Sequence, residues 1–311
     1  MLSEWMAFVV SGLIAVYLTR ASIGFSPTIG LVDVPDARKR HNGHVALAGW
    51  ALVIASLIGI LSAINFSREW SGLWLGSLIA ATTGLMDDGR GLSPKLKALG
   101  QLLAALVAVL LSPWSIDSIR IFGFEISLGW LAVPFAIFWI MGAINALNLI
   151  DGLDGLAAGA TAIISAVCAL MAWQSGNLAM MALALAICGT TLGFLVYNFC
   201  PAKVFMGDTG SHFLGYWLAI LTVQATQSSL SSPTHVPLLI SVLLLGLPVA
   251  DTGWAILRRL RAYQSITAAD CGHIHHRLLA RGWGCMKTVL VLYAVIGFLS
   301  FLALLLFWFN V

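Results

Sequence analysis

Four polar side chains recur at every third position in the stretch Asn145-Ala146-Leu147-Asn148-Leu149-Ile150-Asp151-Gly152-Leu153-Asp154-Gly155, within a chain otherwise apolar enough to sit in lipid. Placing two carboxamides and two carboxylates there costs free energy and argues for a site. The plainer alternative is a polar helix end at the membrane surface, with the aspartates as N-caps of the next helix. At 100° per residue the nine steps from Asn145 to Asp154 turn a helix by about 900°, which leaves the two residues on opposite sides. The helix must therefore break or tighten, and Gly152 and Gly155 permit that.

Three further clusters carry the same kind of chemistry. Asp87-Asp88 is followed by Gly91, Ser93-Pro94 and Lys97; adjacent carboxylates repel, so both stay ionised only beside a metal or a cation, while Ser93-Pro94 reads as a helix start. Lys203 to Ser211 contains Gly207-Asp208-Thr209-Gly210-Ser211, whose glycines and hydroxyls suit an anion at a helix N-terminus and whose Asp208 offers Mg²⁺ an oxygen. His273-Ile274-His275-His276-Arg277 suits a phosphate or diphosphate better than a transition metal, because no carboxylate or Cys spacing completes a metal set. The first loop, with Asp33, Asp36, Arg38, Lys39, Arg40 and His41, is either a juxtamembrane basic cluster or a phosphate contact. His212 and His235, isolated in or beside apolar segments, read as structural. The five Cys form no C-x-x-C pair and indicate neither a disulfide framework nor a zinc site.

These clusters must be held by membrane helices. Of the 311 residues 60% are hydrophobic and 9% charged, against about 25% charged in a soluble domain. The expected architecture is an all-α, polytopic bundle of about ten transmembrane helices forming a single domain over 1–311. The spans fall near 5–20, 46–66, 70–86, 98–113, 128–147, 156–174, 178–198, 211–225, 235–256 and 287–308. The first follows Glu4 rather than a basic segment and reads as a retained helix. With ten spans, 14 of the 16 Lys and Arg fall on one side, and only Arg68 and Arg120 on the other. The positive-inside rule places the first side, with its active-site loops, in the cytoplasm. Nine of the 13 acids share that side, which suits a polyanion held with a divalent cation.

The order of the motifs resembles the polyprenyl-phosphate N-acetylhexosamine-1-phosphate transferases, the MraY/WecA superfamily, over Val32 to about Gly282. Asp-Asp with Ser-Pro-Lys comes first, then Asn-x-x-Asn-x-x-Asp-Gly-x-Asp-Gly, then Met-Gly-Asp-x-Gly-Ser, then His-Ile-His-His. The last motif is similar to the WecA and teichoic-acid branch. The resemblance implies a bacterial inner-membrane enzyme that transfers N-acetylhexosamine 1-phosphate from UDP-GlcNAc or a related UDP-sugar to undecaprenyl phosphate. It would release UMP and start synthesis of an O-antigen or teichoic-acid type polysaccharide. It makes Asp87 and Asp88 the catalytic acids, Asn148 and Asp208 ligands of Mg²⁺ or Mn²⁺, and Lys97 a neighbour of the lipid phosphate. Asn145, Asp151, Asp154, His273, His275, His276 and Arg277 would bind substrate. The partners implied are the UDP-sugar, the polyprenyl phosphate and membrane lipid, with no nucleic acid; a homodimer is a candidate assembly. Two departures stand out: Gly91 replaces a third acid found in many relatives, and Val45 to Trp50 lacks the family's Pro and Gly-Gly. The competing classes are an ion-coupled transporter, disfavoured because the acids sit at one face, and a prenyltransferase, which leaves the Met-Gly-Asp and His-Ile-His-His segments unexplained.

The charge asymmetry makes a direct prediction. Cysteines introduced at positions 38 and 275 should resist an impermeant thiol reagent in intact cells, and cysteines at 68 and 120 should react. Labelling of 38 or 275 from outside would refute the orientation.

Overall fold

The computed structural model of the chain describes residues 2–33, 44–64, 68–121, 124–227, 235–265 and 272–310, which are mostly helical. The basic loop at Arg38, Lys39, Arg40 and His41, with Asp36, lies outside the described residues.

Helix α1 (Leu2–Thr28) shows how lipid, rather than water, sets the packing. Its buried side is a run of small residues, Ala7, Ser11, Ala15, Thr19, Ser22 and Ser26, while Trp5, Leu13, Tyr17 and Phe25 face outward. Large apolar side chains gain little by leaving lipid, so small residues that let backbones approach take the contact. The partner is α7 (Leu178–Asn198), where a Cβ on Gly189 would strike the Phe8 carbonyl and one on Gly193 that of Gly12.

Among the described residues six helices are long and apolar enough to cross a membrane. They are α1, α4 (Pro94–Leu111), α5 (Ala132–Ile150), α6 (Leu156–Gln174), α7 and α12 (Cys285–Asn310). A seventh is reached if α9 (Leu238–Leu244) and α10 (Gly246–Arg261) count together. The sequence suggests one continuous span there, but the pair bends by 85°. Pro248 is the physical cause: it has no amide hydrogen, and its ring would clash with the carbonyl four residues earlier, at Leu244, so α9 stops there.

The other three expected spans are helices that do not meet the same length and composition. Helix α2 (Gly49–Leu61) has 13 residues. Helix α3 (Ser71–Arg90) ends in three charged positions, and α8 (Gly207–Gln224) is buried at every residue from Thr209 to Gln224. A helix coated by α2, α3, α5 and α6 needs no lipid-facing side. It can therefore carry Ser211, His212, Thr222 and Gln224, which dilute the apolar signal.

The all-α expectation also needs correction, because two small three-stranded sheets flank the bundle. At one end β1 (Val32–Asp33) pairs antiparallel with β2 (Val45–Leu47), which pairs in parallel with β5 (Val204–Phe205). In the other sheet β3 (Ser118–Ile121) lies between β4 (Phe124–Ser127) and β6 (His235–Pro237). Strands of two to four residues are too short for an alternating pattern to show in the sequence.

At the seam between α3 and α8 a Cβ on Gly84 would strike the backbone of Asp208, and one on Gly76 would strike the Tyr216 hydroxyl. Gly84→Val should lower the unfolding midpoint of the detergent-solubilised protein, with an overpacking cost of about 1–3 kcal/mol. A midpoint equal to wild type would contradict this approach.

Candidate active site

Helix α3 delivers Asp87 and Asp88 to the N-terminus of α8. It closes at Gly91, φ +67°, in the left-handed region where a side chain is strained. A glycine suits that position. Asp88 Oδ1 accepts from the Asp208 amide at 2.8 Å, and Oδ2 accepts from the Thr209 amide at 3.0 Å and from the Thr209 hydroxyl. The carboxylate thus satisfies donors that the start of α8 leaves unpaired, at the positive end of the helix dipole. Gly207, φ +65°, makes room for it, since a Cβ there would lie 2.6 Å from Asp88 Oδ2.

Asp87 turns to other partners. Its Oδ1 accepts from the Leu92 amide at 2.7 Å and its Oδ2 from Lys97 Nζ at 2.8 Å, and Lys97 also contacts Asp208 Oδ2. Lys97 is carried by α4, which begins at Pro94 behind the Ser93 cap. Amides on one carboxylate and an ammonium on the other resolve the repulsion between the neighbours.

The polar triplet stretch breaks as its periodicity requires. Helix α5 ends at Ile150, and Gly155 (φ +78°) precedes α6. Gly152 serves a different need, because a Cβ on it would lie 2.8 Å from His275 Nε2. The turn is braced from three sides: the Gly155 amide donates to Asn198 Oδ1 (3.1 Å), the Tyr293 hydroxyl donates to the Gly155 carbonyl (2.6 Å), and the Ala202 amide donates to Asp154 Oδ2 (2.9 Å). Asn198 Nδ2 donates in turn to the Val204 carbonyl (2.9 Å), fixing β5 beside the turn.

The histidine segment forms the short helix α11 (Ile274–Ala280). Asp251 on α10 accepts from the Ile274 amide at 2.9 Å and lies 2.8 Å from His273 Nδ1, so one carboxylate both caps α11 and orients a ring. His275 is fully buried, and neither ring nitrogen has a hydrogen-bond partner. Burial, with His276 and His273 beside it, pushes its pKa down to about 3, so the ring is neutral.

These segments converge on a cavity of about 1060 Å³. Its wall includes Asp87, Asp88, Asn148, Asp151, Asp154, Asp208, His273, His275 and His276, with Val32, Asp33, Val45 and Leu47 from the small sheet. Three expected substrate-binding residues are not in the wall: Lys97 is held between Asp87 and Asp208, Arg277 is exposed, and Asn145 pairs with Gln101 of α4. Burial, then the charges of Asp208, Asp88, Asp154 and Asp33, hold the Asp151 carboxyl well above the usual carboxylate range. A wall with this much carboxylate oxygen and a carboxamide fits a hard cation such as Mg²⁺.

Two readings of the sequence are corrected. Cys200 and Cys285 are joined by a disulfide, because the end of α7 and the start of α12 meet beside Asp154, 85 residues apart in the chain. His212, structural by its apolar surroundings in the sequence, lies 3.2 Å from Asn148 Nδ2 and 3.6 Å from Asp208 Oδ2. Gln101, Asn198, Asp251 and Tyr293 also belong to the site or its supports without lying in any of the motifs. Each is a polar residue in an apolar run, a signal that is present but too common to select them.

The model of the glycosyl transferase family 4 matches residues 70–226. A protein of Bacillus subtilis named a probable undecaprenyl-phosphate N-acetylglucosaminyl 1-phosphate transferase is 40% identical over 297 residues, covering 94% of this chain and 82% of that protein. Undecaprenyl-phosphate alpha-N-acetylglucosaminyl 1-phosphate transferases of Salmonella typhi and Escherichia coli are 29% and 27% identical, over 91% and 82% of this chain and 77% and 71% of theirs.

The neighbouring aspartates should separate experimentally. Asp88→Ala removes a helix cap worth about 0.5–2 kcal/mol and should lower the unfolding midpoint. Asp87→Asn should leave the midpoint and UDP-sugar binding near wild type while transfer is almost lost. Melting curves recorded beside binding and turnover test both, and an unshifted Asp88→Ala midpoint would contradict the cap.

Proposed function

Because the chain belongs to the glycosyl transferase family 4, we propose that its cavity transfers an N-acetylhexosamine 1-phosphate from a UDP-sugar to undecaprenyl phosphate, releasing UMP. The enzyme is a membrane sugar-1-phosphate transferase. The observation that carries this reading is the convergence of segments 87–88, 148–154, 207–208 and 273–276, remote in sequence, on one cavity. The names of the relatives favour UDP-GlcNAc as donor, and the same reading makes the lipid-linked product the start of a cell-surface polysaccharide.

In the reaction an oxygen of the lipid phosphate attacks the β-phosphorus of the UDP-sugar, and the bond from that phosphorus to the UMP oxygen breaks. Asp87 takes up or shares the proton of the lipid phosphate, and Lys97, at hydrogen-bond distance from Asp87, offsets negative charge gathering at the seam. Asn148 and Asp208 would hold Mg²⁺, or Mn²⁺ in its place. When bound, the cation neutralises diphosphate charge and favours departure of UMP. His273, His275 and His276 donate to the diphosphate. A neutral, buried His275 with two unpartnered nitrogens lacks a partner that a phosphate oxygen would supply. Asp151 and Asp154 lie toward the nucleotide, and Asp154 also holds the Ala202 loop. A prenyl-transfer reading gives the histidines no comparable role.

The same reading treats α2, α3 and α8 as crossing helices beside the other seven, forming ten spans in one domain. The cavity then opens to the cytoplasm of a bacterium on the side rich in Lys and Arg. Membrane lipid surrounds the bundle, and a homodimer is compatible with it.

Membranes carrying the protein, given labelled UDP-GlcNAc and undecaprenyl phosphate, should form a lipid-soluble product and UMP in a Mg²⁺-dependent reaction. Asn148→Ala and Asp208→Ala should be inactive. His275→Ala should raise the apparent UDP-sugar constant by about ten- to a hundred-fold. Exposed Arg277→Ala should change it less. Lipid product formed by Asp208→Ala in the presence of a chelator would overturn the reading.

A further inference from the structure

A carboxamide serves a hard cation only through its oxygen; turned by 180° it presents an NH₂ group, which repels the ion. The activity therefore requires something to decide which end of Asn148 faces the cavity, and a chain of polar side chains in the bundle does so.

The chain starts from a backbone group whose polarity is fixed. The Met141 carbonyl can only accept, and it receives Asn145 Nδ2 at 2.8 Å. Asn145 is thereby oriented, and its Nδ2 also donates to Gln101 Oε1 at 2.7 Å, while Gln101 Nε2 returns a longer bond to Asn145 Oδ1 at 3.4 Å. Gln101, 1% exposed, is thus oriented in turn, and its Nε2 lies 3.3 Å from His212 Nε2. That imidazole nitrogen must accept, which places the proton of neutral His212 on Nδ1. Asn148 Nδ2 lies 3.2 Å from the same His212 Nε2. With its nitrogen engaged there, Asn148 keeps its oxygen free for the cavity that it lines.

We propose that His212, set by Gln101 and Asn145, is a positioning residue that turns the Asn148 carboxamide so that its oxygen, not its nitrogen, meets the divalent cation. This deepens the transferase reading and rests on its assignment of Asn148 and Asp208 as cation ligands. It unites three groups outside the cavity wall in one role, namely a fully buried histidine on α8, a buried glutamine on α4 and Asn145 on α5. Asn145 thereby acts through Asn148 and not by touching substrate.

The test separates an acceptor from a space-filler. In His212→Gln the side-chain oxygen reaches as far from the backbone as Nε2 and accepts in its place; in His212→Leu the bulk remains and the acceptor is lost. Mn²⁺ binding to the purified full-length protein in detergent, read from the loss of the free-ion electron paramagnetic resonance signal, needs no turnover. Removal of a partner behind a metal ligand typically weakens binding about 10- to 100-fold. His212→Leu should show a loss of that size while His212→Gln stays within about three-fold of wild type. Equal affinity in His212→Leu and wild type, or a His212→Gln as weak as His212→Leu, overturns the inference. If His212→Leu fails to fold, Gln101→Met decides: several-fold weaker Mn²⁺ binding supports the relay, and unchanged binding overturns it. A wild type that binds no Mn²⁺ overturns the cation reading itself, a result distinct from failure of the relay alone.

Discussion

An α-helix begins with amides that have no partner within it, and α8 begins in the middle of the candidate site, with its whole later length buried. Asp88 meets that requirement through two backbone amides and a hydroxyl. The consequences spread outward. Seating Asp88 there brings α3 against α8 so closely that Gly84 and Gly207 can carry no side chain, and it leaves the adjacent Asp87 directed toward Lys97. Asp208, one of the residues whose amide is capped, is fixed at the same moment. A structural hydrogen-bond set and the proposed catalytic constellation are therefore built from the same few atoms, and neither can shift alone.

The burial of α8 has a second effect. In lipid the outside of the bundle is as apolar as its inside, so helices associate through small residues and polar contacts, as α1 and α7 do. A helix surrounded by other helices is the safest place for polar side chains, provided each finds a partner. His212 on this helix meets Gln101 from α4 and Asn148 from α5. The interior of the bundle is thus a scaffold that can hold a hydrogen-bond polarity over several residues, which a solvated site would lose to water.

Elsewhere in the cavity wall, by contrast, short irregular elements do the positioning. The turn at Asp151 to Gly155 is held by Asn198, Tyr293 and the Ala202 amide, and α11 is held by Asp251. Each brace comes from a different part of the chain. This part of the candidate site thus depends on the register of α7, α10 and α12 relative to α5, and the Cys200–Cys285 bond ties two of those elements together.

Much of this was legible in the residues. Apolar composition dictated a membrane bundle, the three-residue polar spacing from Asn145 to Asp154 required a helix break, Ser93-Pro94 marked the start of α4, and the four motifs named the candidate site. These are local properties, set by turn geometry, capping and transfer free energy within a few residues. What the sequence left open depends on distant segments meeting. That Asp88 caps α8, that Arg277 and Asn145 stand outside the cavity wall, that Cys200 reaches Cys285, and that His212 belongs to the site were all decided by helix packing. The two sheets leave no mark in the sequence because their strands are shorter than any recognisable period. The α9–α10 bend turned on one proline whose effect a hydropathy window averages away. Sequence determined which chemical groups the chain can bring to a site; tertiary structure decided which of them face the cavity and which brace it, because direction and distance belong to the packed helices and not to the chain.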